Sequence, residues 1–413
     1  MSDNRDFDLV LWGATGFTGQ LVTEYLADHP VGDQLDWAIA GRDREGLEKV
    51  RARLDAPHAD LPILLGNAFD RASLDAIASR TDVICTTVGP YARLGSELVA
   101  ACVDANTDYC DLTGEAHWVR QMIDEHHDQA RDRGVRIVHC CGFDSVPSDL
   151  GVWLLQSDAI DRWGGPCPQV RCLIWNIRGG ISGGTAASAA EAVAEAARNP
   201  EVGRLMADPY GLNPSDNRPD IDQPFQRTPA YEPTLDRWTA PFVMAAINEK
   251  IVRRTNALLD NRHGESFRYS EAVQTGQGLS AALRAVTMSA GLGALTAGLA
   301  IAPVRKLLER FVLPDPGEGP DEETIERGRF TMRLFGRHPN GVDRHFELVC
   351  EVGANADPGY GATAMMLAES ALCLSLDDPE EGLNGGVLTP ASAFGSALIT
   401  RLRDAGMTFE MIQ

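Results

Sequence analysis

The chain has 413 residues, 44% of them hydrophobic, with 40 glycines and 23 prolines spread along it. That is a soluble globular composition with room for two domains, which excludes a disordered or fibrous chain and a single small binding module. Against 37 basic residues stand 59 acidic ones, and the net charge of −22 repels nucleic acid and anionic lipid, so nucleic-acid binding is not expected.

Only Lys49, Lys250 and Lys306 are lysine; arginine supplies the other cations. An acid-rich, lysine-poor surface suits concentrated salt, where carboxylates hold water while salt screens their repulsion, so a halophilic source is expected, although a GC-rich genome alone would also replace lysine by arginine. The N-terminal MSDNRDFDLV lacks a basic start followed by an apolar run, which predicts a cytoplasmic protein. Nine cysteines, with Cys140 and Cys141 adjacent and no CxxC pair, read as reduced core thiols, and no metal site is expected.

In chain order, strand-like runs at 8–12, 37–40, 62–65, 82–88, 109–112 and 135–141 alternate with segments of helical spacing. This alternation predicts an α/β fold: a doubly wound parallel sheet covered by helices, with ligands at the carboxyl ends of its strands. Asp43 and Asp70 stand where the second and third helices would be capped. The first helix carries an apolar stripe of Phe17, Leu21, Val22, Tyr25 and Leu26.

Between the first strand and that helix lies GATGFTG, residues 13–19. Gly13 lets the chain turn, Gly16 lets backbone approach a pyrophosphate, and Gly19 lets the helix pack on the strand; free N–H groups at the helix start complete the cradle. The second strand ends Ala40-Gly41-Arg42, then Asp43-Arg44. An acidic residue that would take ribose hydroxyls is replaced by small residues and two arginines able to pair with a 2′-phosphate, so NADP is favoured over NAD. Asn67, after the third strand, is positioned for the adenine edge, and TTVGPY, residues 86–91, for the nicotinamide side.

The stretches GATGFTGQLVTEYL, AGRDREGLEKV, TTVGPYARLGSELVAACVDANTDYCDLTGE and GFDSVPSDLGVWLL, with the C-terminal GGVLTPASAFGSALITRLRDAGMTF, resemble the saccharopine dehydrogenase-like oxidoreductases, in the branch of the trans-acting enoyl reductases. The resemblance covers residues 8–156 and 384–409. It implies an NADP-binding Rossmann domain over 1–150, an inserted α+β substrate domain over 151–355 and a C-terminal helical segment, 356–413, returning to the Rossmann domain. By position it assigns Gly13, Thr15, Gly16, Phe17, Thr18 and Gly19 to the pyrophosphate, Arg42 to the 2′-phosphate, and Thr87, Gly89 and Pro90 to the nicotinamide. Relatives often carry an acidic residue where this chain has Asn67, and the basic cluster that a saccharopine-type dicarboxylate requires is not evident.

In the middle of the chain, 168–178 reads as a strand leading into a glycine-rich helix start. There Ser182, Gly183, Gly184 and Thr185 offer donors to a substrate carbonyl or anion, or simply cap the helix. Residues 199–241, rich in Pro, Asp and Asn, read as a lid-like loop, and 328–353 as a β-hairpin around HPNG. The twenty uncharged residues 285–304 fit a buried helix, a surface or tunnel meeting acyl chains, or a membrane span.

For reduction of a double bond conjugated to a carbonyl, the protein must supply a proton donor near the strand ends. Candidates are Tyr91, Asp144 and Ser145; the alternatives are an aromatic wall for Tyr91, and a turn and helix cap for Asp144 and Ser145. His139 reads as a core histidine, and His117, His126 and His127 as solvated. The expected activity is NADPH-dependent reduction of a hydrophobic small-molecule or carrier-bound acyl or polyprenyl-type substrate. Two other readings stay open: a catalytically silent, lipid-associated or membrane-peripheral protein that keeps the nucleotide site, and a saccharopine-type amino-acid dehydrogenase. Peripheral membrane contact and a homodimer are also left open.

Overall fold

The computed structural model describes residues 5–179, 183–311, 327–339, 346–378 and 381–413, with the backbone alone at 183–187, 189 and 309–311. The first half runs β1 Phe7–Trp12, α1 Phe17–Asp28, β2 Trp37–Gly41, α2 Arg44–Arg51, β3 Ile63–Leu65, α3 Arg71–Ala78, β4 Thr81–Thr86, α4 Tyr91–Leu94, α5 Ser96–Ala105, β5 Asp108–Asp111, α6 Ala116–Arg133, β6 Arg136–Val138 and α7 Val146–Trp163. The middle continues with β7 Gln169–Arg178, α8 Gly183–Arg198, α9 Pro200–Ala207, β8 Ala230–Glu232, β9 Arg237–Ala240, α10 Ala245–Leu258, β10 Arg268–Gly276, α11 Gly278–Ala300 and α12 Ala302–Phe311. The remainder is β11 Arg329–Gly336, β12 Leu348–Ala354, α13 Gly361–Leu376, β13 Gly386–Leu388, α14 Pro390–Phe394, α15 Ser396–Asp404 and β14 Thr408–Met411.

Seven parallel strands form the first sheet in the order β3-β2-β1-β4-β5-β6-β13. Alternation along FDLVLW explains why both of its faces are covered: Leu9 and Leu11 enter one core, Val10 and Trp12 the other. The first core continues through α7 into the second sheet, and the second lies under α3, α5 and α6. The fold is therefore the α/β, Rossmann-type doubly wound sheet expected from the sequence, with an α+β second layer built on β14-β12-β11-β7-β10-β9-β8. In that second sheet β7 and β10 are parallel, while β11 and β12 pair antiparallel from Phe330↔Ala354 to Gly336↔Leu348.

Several local expectations change. The run 135–141 pairs only as Arg136–Val138, because Cys140 takes a positive φ of 64° and turns the chain out at the strand's carboxyl end. Residues 199–241 are not one loop: they hold α9 and the β8–β9 hairpin, whose partner β10 lies far along the chain and left no local periodicity. The segment 356–413 also contributes β13 to the first sheet and β14 to the second. A buried helix at 285–304 is contradicted: α11 is largely exposed, with only Ala281, Ala285 and Leu299 buried.

Candidate functional site

The glycine loop divides its labour as its spacing implies. Gly13 has φ +96°, and a Cβ there would lie 2.4 Å from Val88 Cγ2. Thr87 Oγ1 donates to Gly13 O at 3.1 Å, tying this loop to the end of β4. At Gly19 a Cβ would meet Gly13 O at 2.2 Å, so helix and loop touch backbone to backbone. Gly16, the exposed N-cap of α1, faces open space apart from Gly13 O at 3.4 Å. The helix start has no acidic residue in its first turn and no side-chain cap. It thus presents backbone N–H groups and the positive end of the helix dipole outward, which fits a pyrophosphate.

Strand pairing brings the next two loops together. Gly41 pairs with Leu65, and Gly66 N donates to Gly41 O at 3.1 Å, which sets the turn after β3 beside Arg42. Arg42 is exposed and makes no hydrogen bond or ion pair among the described residues; Arg44 makes only a long contact to Glu48 at 3.9 Å. Both occupy the position where an acidic residue would select a free ribose, so this edge fits a 2′-phosphate. Asp43 and Asp70 hold the N-cap positions of α2 and α3 without a side-chain capping bond.

Asn67 is locally engaged. Its Oδ1 accepts from Phe69 N at 3.0 Å and its backbone N–H donates to Ser73 Oγ at 3.0 Å. That turn holds Phe69 out with 73% of its surface exposed. Sequence reasoning overlooked Phe69, although a large aromatic directly before the Asp70 cap was a usable signal.

At the carboxyl ends of β4 and β5, Glu115 is the organising side chain, and it was also missed. Buried to 1% exposure, its Oε1 accepts from Tyr91 N and Ser188 Oγ, each at 2.9 Å, and its Oε2 from Ala92 N at 2.9 Å. It satisfies the first N–H groups of α4 and fastens α8 above the β4 loop, where a Cβ on Gly89 would lie 3.8 Å from Ser188 Oγ. Pro90 is the N-cap of α4.

Tyr91 does not serve as a donor to the crevice. It is buried, stacked on Trp118 with ring centroids 5.4 Å apart, and its hydroxyl donates to Thr86 O at 3.2 Å. Burial, with Asp111 nearby, pushes its phenol well above the ordinary range. Ser145 is corrected likewise: fully buried at the N-cap of α7, it donates to Asn248 Oδ1 at 3.1 Å and caps nothing.

Asp144 behaves differently. Its carboxyl is half-buried and has no hydrogen bond or ion pair among the described residues. A Cβ on Gly114 would lie 3.8 Å from its Oδ1 and 3.9 Å from Met244 Cε, so the β5 and β6 loops and the start of α10 converge here. The neighbouring Phe143 packs on Phe330 and Phe242, with centroids 4.8 and 6.5 Å away. Burial, then the Asp111 charge, raises the Asp144 carboxyl to about 7. An uncommitted carboxyl close to half-protonation at neutral pH is equipped to give and regain a proton.

The other predicted residues fall elsewhere. Ser182 lies outside the described residues, and Gly183, Gly184 and Thr185 begin α8, where only the backbone is described. His139 is a core residue: its Nδ1 lies 2.7 Å from Asp111 Oδ2, both fully buried. His117, His126 and His127 are half-buried rather than solvated. His127 Nδ1 accepts from Val387 N at 3.1 Å, and burial followed by the Arg254 charge lowers it to about 4, so it is a neutral tie between α6 and β13. All nine cysteines are buried and free of disulfides.

Comparison with known proteins supplies what geometry alone does not. Residues 9–138 match the saccharopine dehydrogenase NADP binding domain. Over 414 residues the chain is 42% identical to a trans-acting enoyl reductase of Mycobacterium tuberculosis, covering 98% of this chain and 97% of that protein. It is 41% identical over 415 residues to a trans-acting enoyl reductase of Mycobacterium leprae, with the same coverage. Among solved structures, the saccharopine dehydrogenase (L-Glu forming) of Saccharomyces cerevisiae superposes with a TM-score of 0.50 at 12% identity, covering 98% of this chain and 99% of that one; it shares the fold.

Proposed function

This chain belongs to the saccharopine dehydrogenase-like oxidoreductases, in their trans-acting enoyl reductase branch, and from that premise we propose that it reduces the carbon–carbon double bond of a hydrophobic, carrier-bound acyl or polyprenyl-type substrate. It is an NADP-dependent oxidoreductase. The observation that carries the reading is Asp144: a carboxyl raised to about 7, free of hydrogen bonds among the described residues, at the strand ends and among apolar side chains.

Bound NADPH supplies a hydride, which the β-carbon of a double bond conjugated to a carbonyl accepts. The chain's own part is to place that carbon, steady the charge that moves onto the carbonyl oxygen, and protonate the α-carbon. Asp144 donates this proton and regains it from solvent through its exposed edge. The start of α8, tethered by Ser188 to Glu115, is the seat of the carbonyl oxygen, where backbone N–H groups and the helix dipole oppose negative charge. Beside Asp144 the protein is apolar, with Phe242 in the core and Phe143 and Met244 packed against it, which suits an acyl chain.

Toward the cofactor, Gly16 and the first turn of α1 hold the pyrophosphate and Arg42 the 2′-phosphate. Phe69 offers its exposed face to the adenine, while Asn67 holds the turn that presents it. The test is NADPH oxidation by purified protein with an α,β-unsaturated acyl thioester on a carrier domain. One saturated acyl product per NADPH is expected. NADPH binding without turnover on any enoyl thioester would favour the silent reading, and NADPH consumption with an amino acid and an oxo acid the saccharopine-type one.

A further inference from the structure

A helix that is apolar on every side belongs inside a core or a membrane, yet α11 is exposed along most of its length. Leu279, Leu283 and Val286, on one face at spacings of four and three residues, are 91%, 68% and 51% exposed; Ile301 and Leu307, at and beyond its junction with α12, are 52% and 58% exposed. Among its described residues only Ala281, Ala285 and Leu299 are buried, against β9, β10 and α8. The two helices meet at Gly298, where a Cβ would lie 3.0 Å from Leu308 Cδ1 and 3.3 Å from Val304 Cγ1.

Charge identifies what covers this face. In a chain of net charge −22, residues 272–308 contain no Asp or Glu, and their only charged residues are Arg284, Arg305 and Lys306. Carboxylates are missing from α11 and from α12 up to Leu308, ahead of Glu309 and Arg310, and cations stand at the two ends of the apolar stretch. The helix is also rich in Ala and Gly, with a mean hydropathy of 1.2 over its best window, which is marginal for crossing a bilayer but ample for lying in its surface.

We propose that α11 and α12 form a peripheral docking surface for a phospholipid bilayer, entered by the apolar side chains, with the exposed Lys306 at the level of the headgroup phosphates, while Arg284 is held by Thr275 O at 3.1 and 2.7 Å and Arg305 by Leu299 O at 3.3 Å. Because α11 rests on α8, whose Ser188 is bonded to Glu115 at the carboxyl ends of β4 and β5, docking turns that end of the enzyme toward the lipid phase. Attraction is apolar and local while the acidic body is repelled at longer range. Binding therefore strengthens as salt rises from about 0.1 M to about 1 M, because the screening length falls from about 10 Å to about 3 Å.

The experiment is sedimentation of the full chain with vesicles of mixed phosphatidylcholine and phosphatidylglycerol. Wild type is expected to co-sediment, more so at high salt, and to be released by alkaline carbonate. A Leu283→Glu/Leu307→Glu double variant, altered only at exposed positions, is expected to partition at least about tenfold less while binding NADPH as before. Failure of wild type to sediment, or equal sedimentation of the variant, overturns the proposal. Resistance to carbonate would mean a spanning helix instead. A soluble dimer that the same substitutions dissociate, with vesicles unbound, would make a second copy the occupant.

Discussion

Ser188 Oγ donates to Glu115 Oε1 across 2.9 Å, and this bond joins α8 to the loops at the carboxyl ends of β4 and β5. The same carboxylate accepts the Tyr91 and Ala92 N–H groups, so one buried side chain ties α8 to the start of α4. Glu115→Gln leaves one oxygen for three donors and turns an amide against a backbone N–H. A loss of about 1–3 kcal/mol in stability is expected, together with a higher KM for NADPH. Thermal denaturation and steady-state kinetics read the two effects.

Asp144→Asn removes the proposed proton donor without changing its size. A kcat lower by about 10²–10⁴ is expected, with NADPH affinity unchanged. Wild-type kcat should fall as pH rises through about 7, where the carboxyl loses its proton, and this limb should vanish from the variant. Stability moves in the same direction. The folded-state value lies above the unfolded one, so wild type loses stability as pH rises from about 4 to about 7. At pH above about 7 the Asn variant should therefore melt higher, and near pH 4 the two should converge. A wild-type rate flat between about pH 6 and 8 would remove Asp144 from the chemistry.

Two glycines three residues apart should fail differently. Gly16→Ala adds a methyl into nearly open space, so melting stays within about 1 kcal/mol of wild type while NADPH binding weakens sharply. Gly19→Ala places a Cβ 2.2 Å from Gly13 O and forces the helix off the loop, costing about 1–3 kcal/mol. Calorimetric titration beside thermal melts separates the cases; equal cofactor affinity in Gly16→Ala would relocate the pyrophosphate.

Arg42 and Phe69 should split the affinity for the adenosine end. Arg42→Ala is expected to weaken NADPH by about tenfold or more and leave NADH unchanged, since one charge-assisted phosphate contact contributes about 1.5–3 kcal/mol. Phe69→Ala should weaken both by about five- to twentyfold, within the 1–3 kcal/mol of base–aromatic stacking, and Phe69→Tyr should restore both. Equilibrium titration followed by nucleotide fluorescence is the measurement, and an unaltered NADPH-to-NADH ratio in Arg42→Ala would contradict the 2′-phosphate assignment.

Local patterning carried much of this protein. The alternation in FDLVLW, the three glycines of GATGFTG and the small residues before Arg42 each act through the residue's own geometry or its nearest neighbours, so the parallel sheet, the tight turn of the glycine loop and the cofactor were legible without coordinates. Chain-distant partners were not. Whether Tyr91, Asp144 or Ser145 was the available donor depended on Trp118, Asn248 and Thr86 taking up two of them, and on the third being left without a hydrogen bond among the described residues beside the Asp111 charge. Likewise, the composition of residues 285–304 suited a core, a lipid surface or a span equally well. Burial depends on what packs alongside a segment, and only the tertiary structure decided that α11 leaves most of its apolar surface uncovered.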